Sequence, residues 1–324
     1  MHKTSAGLYI SRNLFVLFIF ILLSAGKCNR GLRKIEERQA QKQAAALRTK
    51  NLIKTIKGIS YTEVSRKFDN GLSFSPVGYQ LVPEWKISFP SVDSDNIYSP
   101  KKGRYLNGPV VFDHDSIFNV AWAWLKLKQL SKDSLKFMVL HVSGNVIQDE
   151  KVHVFMTFYS NNYIKNVLHS DTVRLWAPGR RDSLYIRAKA LLANTIPDSA
   201  FAGTDPAMLT AKSPLISIKK EAPPDAVDGG KPYDAYLLPT YDLMIHKAYD
   251  DFNYLFSAYV DENGKLIFRK SNQLTMPEFA ASTISTMKGI TDGYLKLYLN
   301  VTAGKTLGIP HTSIILLNVS GEKK

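Results

Sequence analysis

Few residues in this chain have the types and spacing that chemistry needs. Asp113-His114-Asp115 offers metal-binding side chains. The triplet stands at the end of a strand-like run, where alternation would turn His114 away from its neighbours. A metal also needs three or four converging ligands, so the triplet reads as an exposed turn. Ser217-x-x-Lys220 has the spacing of a serine–lysine nucleophile pair but runs straight into a linker. Gly304-Lys305-Thr306 ends like a phosphate-binding loop, yet the glycine required five positions earlier is Leu299, so the stretch reads as a turn. Asn300-Val-Thr302 and Asn318-Val-Ser320 match the glycosylation pattern but fall on strand-like runs. His-Glu-x-x-His, Gly-x-Ser-x-Gly and Cys-x-x-Cys do not occur. Trp122 and Trp124 share one face of a strand-like run beside Val120. Exposed, they would form a contact surface for sugar or protein; buried, they are core. No catalytic residue, cofactor or metal ligand is assigned.

The elements that must carry these residues begin with a charge anomaly. The 324-residue chain has a formal net charge of +14, which suggests an anionic partner. The excess is local. Arg30, Arg33, Lys34, Arg38, Lys42, Arg48, Lys50, Lys54 and Lys57 stand in one short segment against Glu36 and Glu37 alone. Lys3, Arg12 and Lys27 add three more, so residues 58–324 carry only +4 and are close to neutral for their size; a nucleic-acid domain would carry its basic patch on the folded surface, and nucleic acid is not an expected partner. The segment is rich in Ala, Gln, Glu, Lys and Arg, has no proline, and reads as a helix. Its apolar residues Leu32, Ile35, Leu47, Ile53 and Ile56 form a broken stripe. It is either a solvated spacer or a juxtamembrane helix attracted to anionic lipid.

Before it, Lys3 and Arg12 precede the apolar run from Leu14 to Leu23, and Ser24, Ala25 and Gly26 follow. A basic start, a short apolar stretch and a small-residue exit form an export signal. Cys28, the single cysteine, stands just after it. The stretch Leu23-Ser24-Ala25-Gly26-Lys27-Cys28 resembles a bacterial lipoprotein signal, which implies that Cys28 becomes the lipidated first residue of the mature chain. That pattern has a small residue before the cysteine, where this chain has Lys27. Cleavage after Gly26 would instead release a soluble product, and an uncleaved segment would remain as a short anchor. Basic residues after the run outnumber those before it, which in an uncleaved chain would leave the body in the cytoplasm.

Residues 71–218 read as antiparallel β. Strand-like runs at 85–89, 110–112, 118–128, 135–142, 152–159, 172–176 and 183–191 alternate with turn residues, among them Ser143-Gly144-Asn145. Their number and spacing fit an immunoglobulin-like β-sandwich without the cysteine pair. Residues 219–232, polar and rich in Pro and Gly, mark a linker. Beyond it come a strand over 254–260, an Asn263-Gly264 turn, a strand over 265–269, and a helix over 276–287. Thr275 suits that helix as N-cap, Phe279, Ile284 and Met287 as its buried side, and Gly289 as its stop. Strands over 294–301 and 313–319 close the chain. From Val260-Asp-Glu-Asn-Gly-Lys-Leu266 onward, the order resembles the C-terminal domain of TonB-like periplasmic proteins. The likeness covers about residues 233–320 and implies a protein-interaction domain without catalysis.

The expected organisation is therefore a signal or anchor (1–27), a basic helical stalk and linker (28–70), a β-sandwich (71–218), a linker (219–232) and a small α+β domain (233–324). The fold class is mainly β with a smaller α+β part. The expected function is a membrane-tethered protein of the bacterial cell envelope, its body in the periplasm or at the cell surface, with a non-catalytic binding or scaffolding role. Its partners would be membrane lipid through the N-terminus, and an envelope protein or glycan through the body. The alternative is an extracytoplasmic glycan hydrolase, whose carboxylate pair need not be close in sequence.

Overall fold

The computed structural model describes residues 10–99, 102–121, 123–144, 146–148, 152–221 and 236–323, with side chains described from residue 33 onward. The chain is mainly β, with 41% strand against 28% helix. Among the described residues, no helix is both long and apolar enough to cross a membrane.

The chain opens with one 46-residue helix, α1 (Ile10–Thr55), about 70 Å long at 1.5 Å per residue. Residues 33–44 are exposed on every side, and Arg33 pairs with Glu37 one turn on (3.6 Å). The expected stripe is apolar only in part. Ile35 and Leu47 are exposed, whereas Ile53 and Ile56 are fully buried. Gly58, at φ +77°, turns the chain off the helix.

Nine strands follow in the first sheet. They are β1 (Ser60–Phe68), β2 (Lys86–Ser91), β3 (Ser94–Ser99), β4 (Arg104–Pro109), β5 (Val111–Phe112), β6 (Ile117–Val120), β7 (Ala123–Leu130), β8 (Ser134–Leu140) and, after a short ribbon of β9 (Val142–Ser143) and β10 (Val146–Ile147), β11 (Val154–Ser160). Their spatial order is β4-β3-β2-β1-β11-β8-β7-β6-β5, and each neighbouring pair is antiparallel. Every strand lies beside its chain neighbour, and β1 joins β11. The two edge strands, β4 and β5, are separated only by buried Val110. A sheet whose edges are consecutive in the chain must curl round on itself. The result is nearly a barrel in meander order, which replaces the two facing sheets of an immunoglobulin-like sandwich. Its core is filled by Tyr61, Ile87, Phe89, Phe118, Leu125, Leu135, Phe137, Met156 and Phe158, and Ile53 and Ile56 of α1 join it. Phe118, Phe137 and Phe158 meet edge to face in succession. The run over 118–128 is two strands, since Val120 pairs with Ala123.

The strands expected over 172–176 and 183–191 are helices. After α2 (Asn161–Asn166) come α3 (Thr172–Trp176) and α4 (Arg180–Thr195). Asp171 caps α3 by accepting from Arg174 N (2.9 Å). α4 buries Asp182, Ile186, Ala190 and Ala193, a helical period that the alternation of Leu184, Ile186, Ala188 and Ala190 with polar residues concealed.

The C-terminal part is built on β12 (Met208–Ala211), β13 (Ile216–Lys220), β14 (Thr240–His246), β15 (Phe252–Val260), β16 (Leu266–Ser271), helix α5 (Pro277–Ile290), a π turn (Thr291–Leu295), α6 (Lys296–Tyr298), β17 (Leu299–Thr302), the short pair β18 (Lys305–Thr306) and β19 (Ile309–Pro310), and β20 (Ser313–Glu322). Its main sheet runs β13-β14-β20-β15-β16, with β14 and β20 parallel. β12 pairs with β17 and β13 with β14, so residues 208–220 join these strands although their sequence reads with the middle region. Met287, Ile290 and Leu295 pack on Tyr241, Leu243, Phe256, Ile315 and Leu317. The hairpin turn spans Asp261 to Lys265, and within it Gly264 alone has positive φ (+80°). Met276 takes the N-cap position of α5 in place of Thr275, whose hydroxyl is buried without a partner. The helix runs through Gly289, and Phe279 faces solvent. Tyr294 lies in the π turn, not on a strand.

Candidate functional site

A groove of about 340 Å³ runs beside β1, within the size range of small-molecule sites. One wall is Val64 to Lys67 of β1 with Thr157 and Tyr159 of β11; the other is the loop through Ser73, Gln80 and Pro83 with the 175–179 turn and Asp182. Its shape depends on two buried carboxylates. A β-bulge shifts the β1–β11 register between Glu63 and Ser65. Across it, Arg66 Nε and Nη2 donate to Glu63 Oε1 and Oε2, each at 2.7 Å. Glu63 Oε2 also accepts from the amides of Glu84 (2.9 Å) and Trp85 (3.1 Å). Trp176 Nε1 donates to the Glu63 carbonyl (2.7 Å). Asp182 accepts from Ser73 N (2.8 Å) and Gly179 N (3.2 Å). A third buried carboxylate, Asp95, accepts from the amides of Ala121 (3.3 Å) and Gly108, and burial raises its pKa. Each of the three carboxylates is held by donors within the fold. The groove is lined by the hydroxyl-bearing residues Ser65, Ser73, Thr157 and Tyr159, by Gln80 and Trp176, and by Arg66 and Lys67. The groove is not legible in the sequence, because every partner of Glu63 except Arg66 stands far along the chain.

A second junction involves His311, which is fully buried. Its ring stacks on Phe201 with centroids 3.6 Å apart and planes 9° from parallel. Nε2 lies 2.9 Å from Thr306 Oγ1 and Nδ1 lies 3.2 Å from the Thr312 carbonyl. Burial is the main cause that lowers its pKa to about 4.

The sequence candidates are placed as follows. Cys28 lies on α1, and its side chain falls outside the described residues. Trp122 is also outside them; Trp124 is half-buried on β7. His114 is not turned away from both neighbours, since Nδ1 sits 2.8 Å from Asp113 Oδ2 on the surface. The triplet instead helps to seat α1. Asp115 N donates to the Lys42 carbonyl (3.3 Å), and Thr49 Oγ1 donates to the Asp115 carbonyl (3.4 Å). Among the described residues, no cluster of three or more His, Cys, Asp or Glu could hold a metal. Ser217 and Lys220 lie three residues apart on β13, hence on opposite faces. Ser217 Oγ meets His246 Nε2 (2.8 Å) instead, and His246 Nδ1 is 4.0 Å from Glu322 Oε2. That last gap is too long for a hydrogen bond that would orient an imidazole. These three residues come from β13, β14 and β20, so no spacing could announce them. Lys305 and Thr306 form a hairpin with Ile309 and Pro310 through Leu307 and Gly308, both at positive φ, and cradle nothing.

No family model and no curated protein sequence matches the chain. Among solved structures, the bovine lipocalin allergen Bos d 2 aligns at 13% identity with a TM-score of 0.23, over 33% of this chain and 73% of that one.

Proposed function

We propose that this chain is a membrane-tethered protein of the bacterial cell envelope whose body binds or scaffolds without catalysis. One observation carries the reading. The helix that begins within the apolar export segment continues unbroken to Thr55, and its last turns belong to the barrel core through Ile53 and Ile56. A tether built this way runs directly into the folded body. Residues 33–44, exposed all round, act as a solvated spacer about 18 Å long, and their basic side chains favour anionic headgroups nearby. Cys28, at the head of this spacer, would carry the lipid, with the body in the periplasm or at the cell surface.

The filled barrel interior leaves binding to surfaces. The groove beside β1 fits an envelope protein segment or a glycan, and Tyr249, exposed and stacked on Phe252, adds a second aromatic contact surface. The order of hairpin, helix and closing strand supports a TonB-like interaction role for the C-terminal part. The glycan-hydrolase alternative has less support, because Glu63, Asp95 and Asp182 are each occupied within the fold.

The test is the mass of the mature N-terminus from membrane and soluble fractions, beside a Cys28→Ala variant. An acylated N-terminal Cys28, with the variant released or unprocessed, is the expected result. An intact Met1 terminus in the membrane, unchanged by the variant, would sink lipidation and reopen the cytoplasmic topology.

A further inference from the structure

Helix α4 has two unlike faces. One buries Asp182, Ile186, Ala190 and Ala193. On the opposite face Leu184 is 55% exposed, Leu191 71% and Leu192 47%. At 100° per residue, Leu184 and Leu191 form the centre line of that face, with Arg180 and Arg187 along one side and Arg181 on the other. Arg181 donates to the Asn70 carbonyl (3.1 Å). The only acidic residue of the helix, Asp182, is on the buried side, and among the described residues no carboxylate pairs with Arg180 or Arg187. Just before α4, Val173 of α3 is 75% exposed beside Arg174.

A lone exposed leucine needs no explanation. Three on one helix face, flanked by arginines and free of exposed carboxylates, have the composition of a helix that lies in the plane of a bilayer interface. The competing occupants fit less well. A nucleic acid would use the arginines and leave the leucines in water. A second copy docked face to face across a two-fold axis would bring like charges together. An anionic bilayer satisfies both features at once, with leucines at headgroup depth and guanidiniums at phosphate.

We propose that the exposed face of α4 is a second membrane contact, specific for an anionic phospholipid surface. It goes beyond the N-terminal tether and does not depend on how Cys28 is processed. Binding here holds the body down on the membrane, and salt reverses it.

The test uses the full chain with Cys28→Ser and Leu191→Cys, the new thiol carrying an environment-sensitive fluorophore. A second preparation carries the label at Leu297→Cys, an exposed position on α6. Vesicles are phosphatidylcholine alone, or phosphatidylcholine with phosphatidylglycerol. The expected result is a blue shift at position 191 only with the anionic vesicles, lost in high salt and lost in Arg180→Gln/Arg187→Gln, while the label at 297 stays in water. No shift at 191 with the anionic vesicles at low salt would overturn the proposal, and since this chain lacks Cys28 that outcome is independent of the tether. A shift without vesicles that grows with protein concentration would overturn it in favour of self-association. Equal shifts at 191 and 297 would also overturn it. Flotation of the unsubstituted chain, with Cys28 in place, on neutral vesicles reads the tether separately, so the two readings fail by different signals.

Discussion

Replacing His311 should flatten the acid dependence of stability. The Thr312 carbonyl can only accept, so Nδ1 carries the proton and Nε2 accepts from the Thr306 hydroxyl. The neutral ring is satisfied as it stands. Protonation would place a charge flat against Phe201, with the Lys189 ammonium already 4.8 Å from the centroid of that ring. Burial brings the pKa from 6.5 down to about 4, against the opposing effect of the Thr312 bond, with Lys189 a still smaller lowering cause. Between those values the unfolded chain binds a proton that the folded chain refuses. The stabilising contribution is therefore complete above pH 6.5 and is lost as pH falls toward 4, a change of about 3 kcal/mol. Urea unfolding of the full chain and of His311→Asn, followed from about pH 7.5 to about pH 4.5, isolates this contribution as a difference of slopes. Any constant cost of the substitution cancels. The parent should lose about 2–3 kcal/mol more than the variant over that range. Parallel curves would refute the reasoning, since they would mean that the folded ring accepts a proton as readily as the unfolded one.

Other substitutions address the remaining joints. Ile53→Ala or Ile56→Ala should each cost about 2–5 kcal/mol in urea unfolding, whereas Ile35→Ala, on the exposed part of α1, should stay within about 0.5 kcal/mol. Equal effects at all three positions would mean that the end of α1 is not part of the barrel core. Arg66→Ala strands the fully buried carboxylate of Glu63 and should cost about 3–5 kcal/mol, with Glu63→Leu/Arg66→Met distinctly milder; thermal unfolding of the three proteins ranks them. Gly264→Ala drives a Cβ into the Val301 carbonyl oxygen at φ +80°. It should cost more than about 1 kcal/mol, read as a lower denaturation midpoint.

What the sequence disclosed was local. The alternation of Met156 and Phe158 marks β11, and Met287 with Pro277 at the first turn marks α5, although Phe279, read as part of its buried side, faces solvent and Ile290 takes the buried place. The closure of the sheet was hidden, because it depends on β1 meeting β11 and on the one-residue link between β4 and β5. α4 deceived for a definite reason. Leu184, Ile186, Ala188 and Ala190 satisfy a two-residue period as well as a helix would, and the residue that settles the matter, Asp182, is a carboxylate at a core position. It is buried only because Ser73 and Gly179 supply amides from elsewhere. Glu63 was unreadable for the same reason.

These carboxylates share one arrangement that bears on the groove. The loop through residues 73–85 and the turn at 175–179 contribute one wall and reach the sheet at few points of regular pairing. Glu63 holds the loop through the amides of Glu84 and Trp85, and its carbonyl holds Trp176; Asp182 holds Ser73 at the other end of the same loop. A wall fixed by buried charge keeps its shape only while every bond of the set is made, since each lost partner leaves a desolvated group behind. The groove should therefore lose its shape before the barrel unfolds. In Glu63→Gln, amide exchange should quicken at residues 73–85 and 175–179 while β7 and β8 stay protected. Uniform quickening across the sheet would mean that the groove wall and the barrel are one cooperative unit, and that Glu63 serves the fold alone.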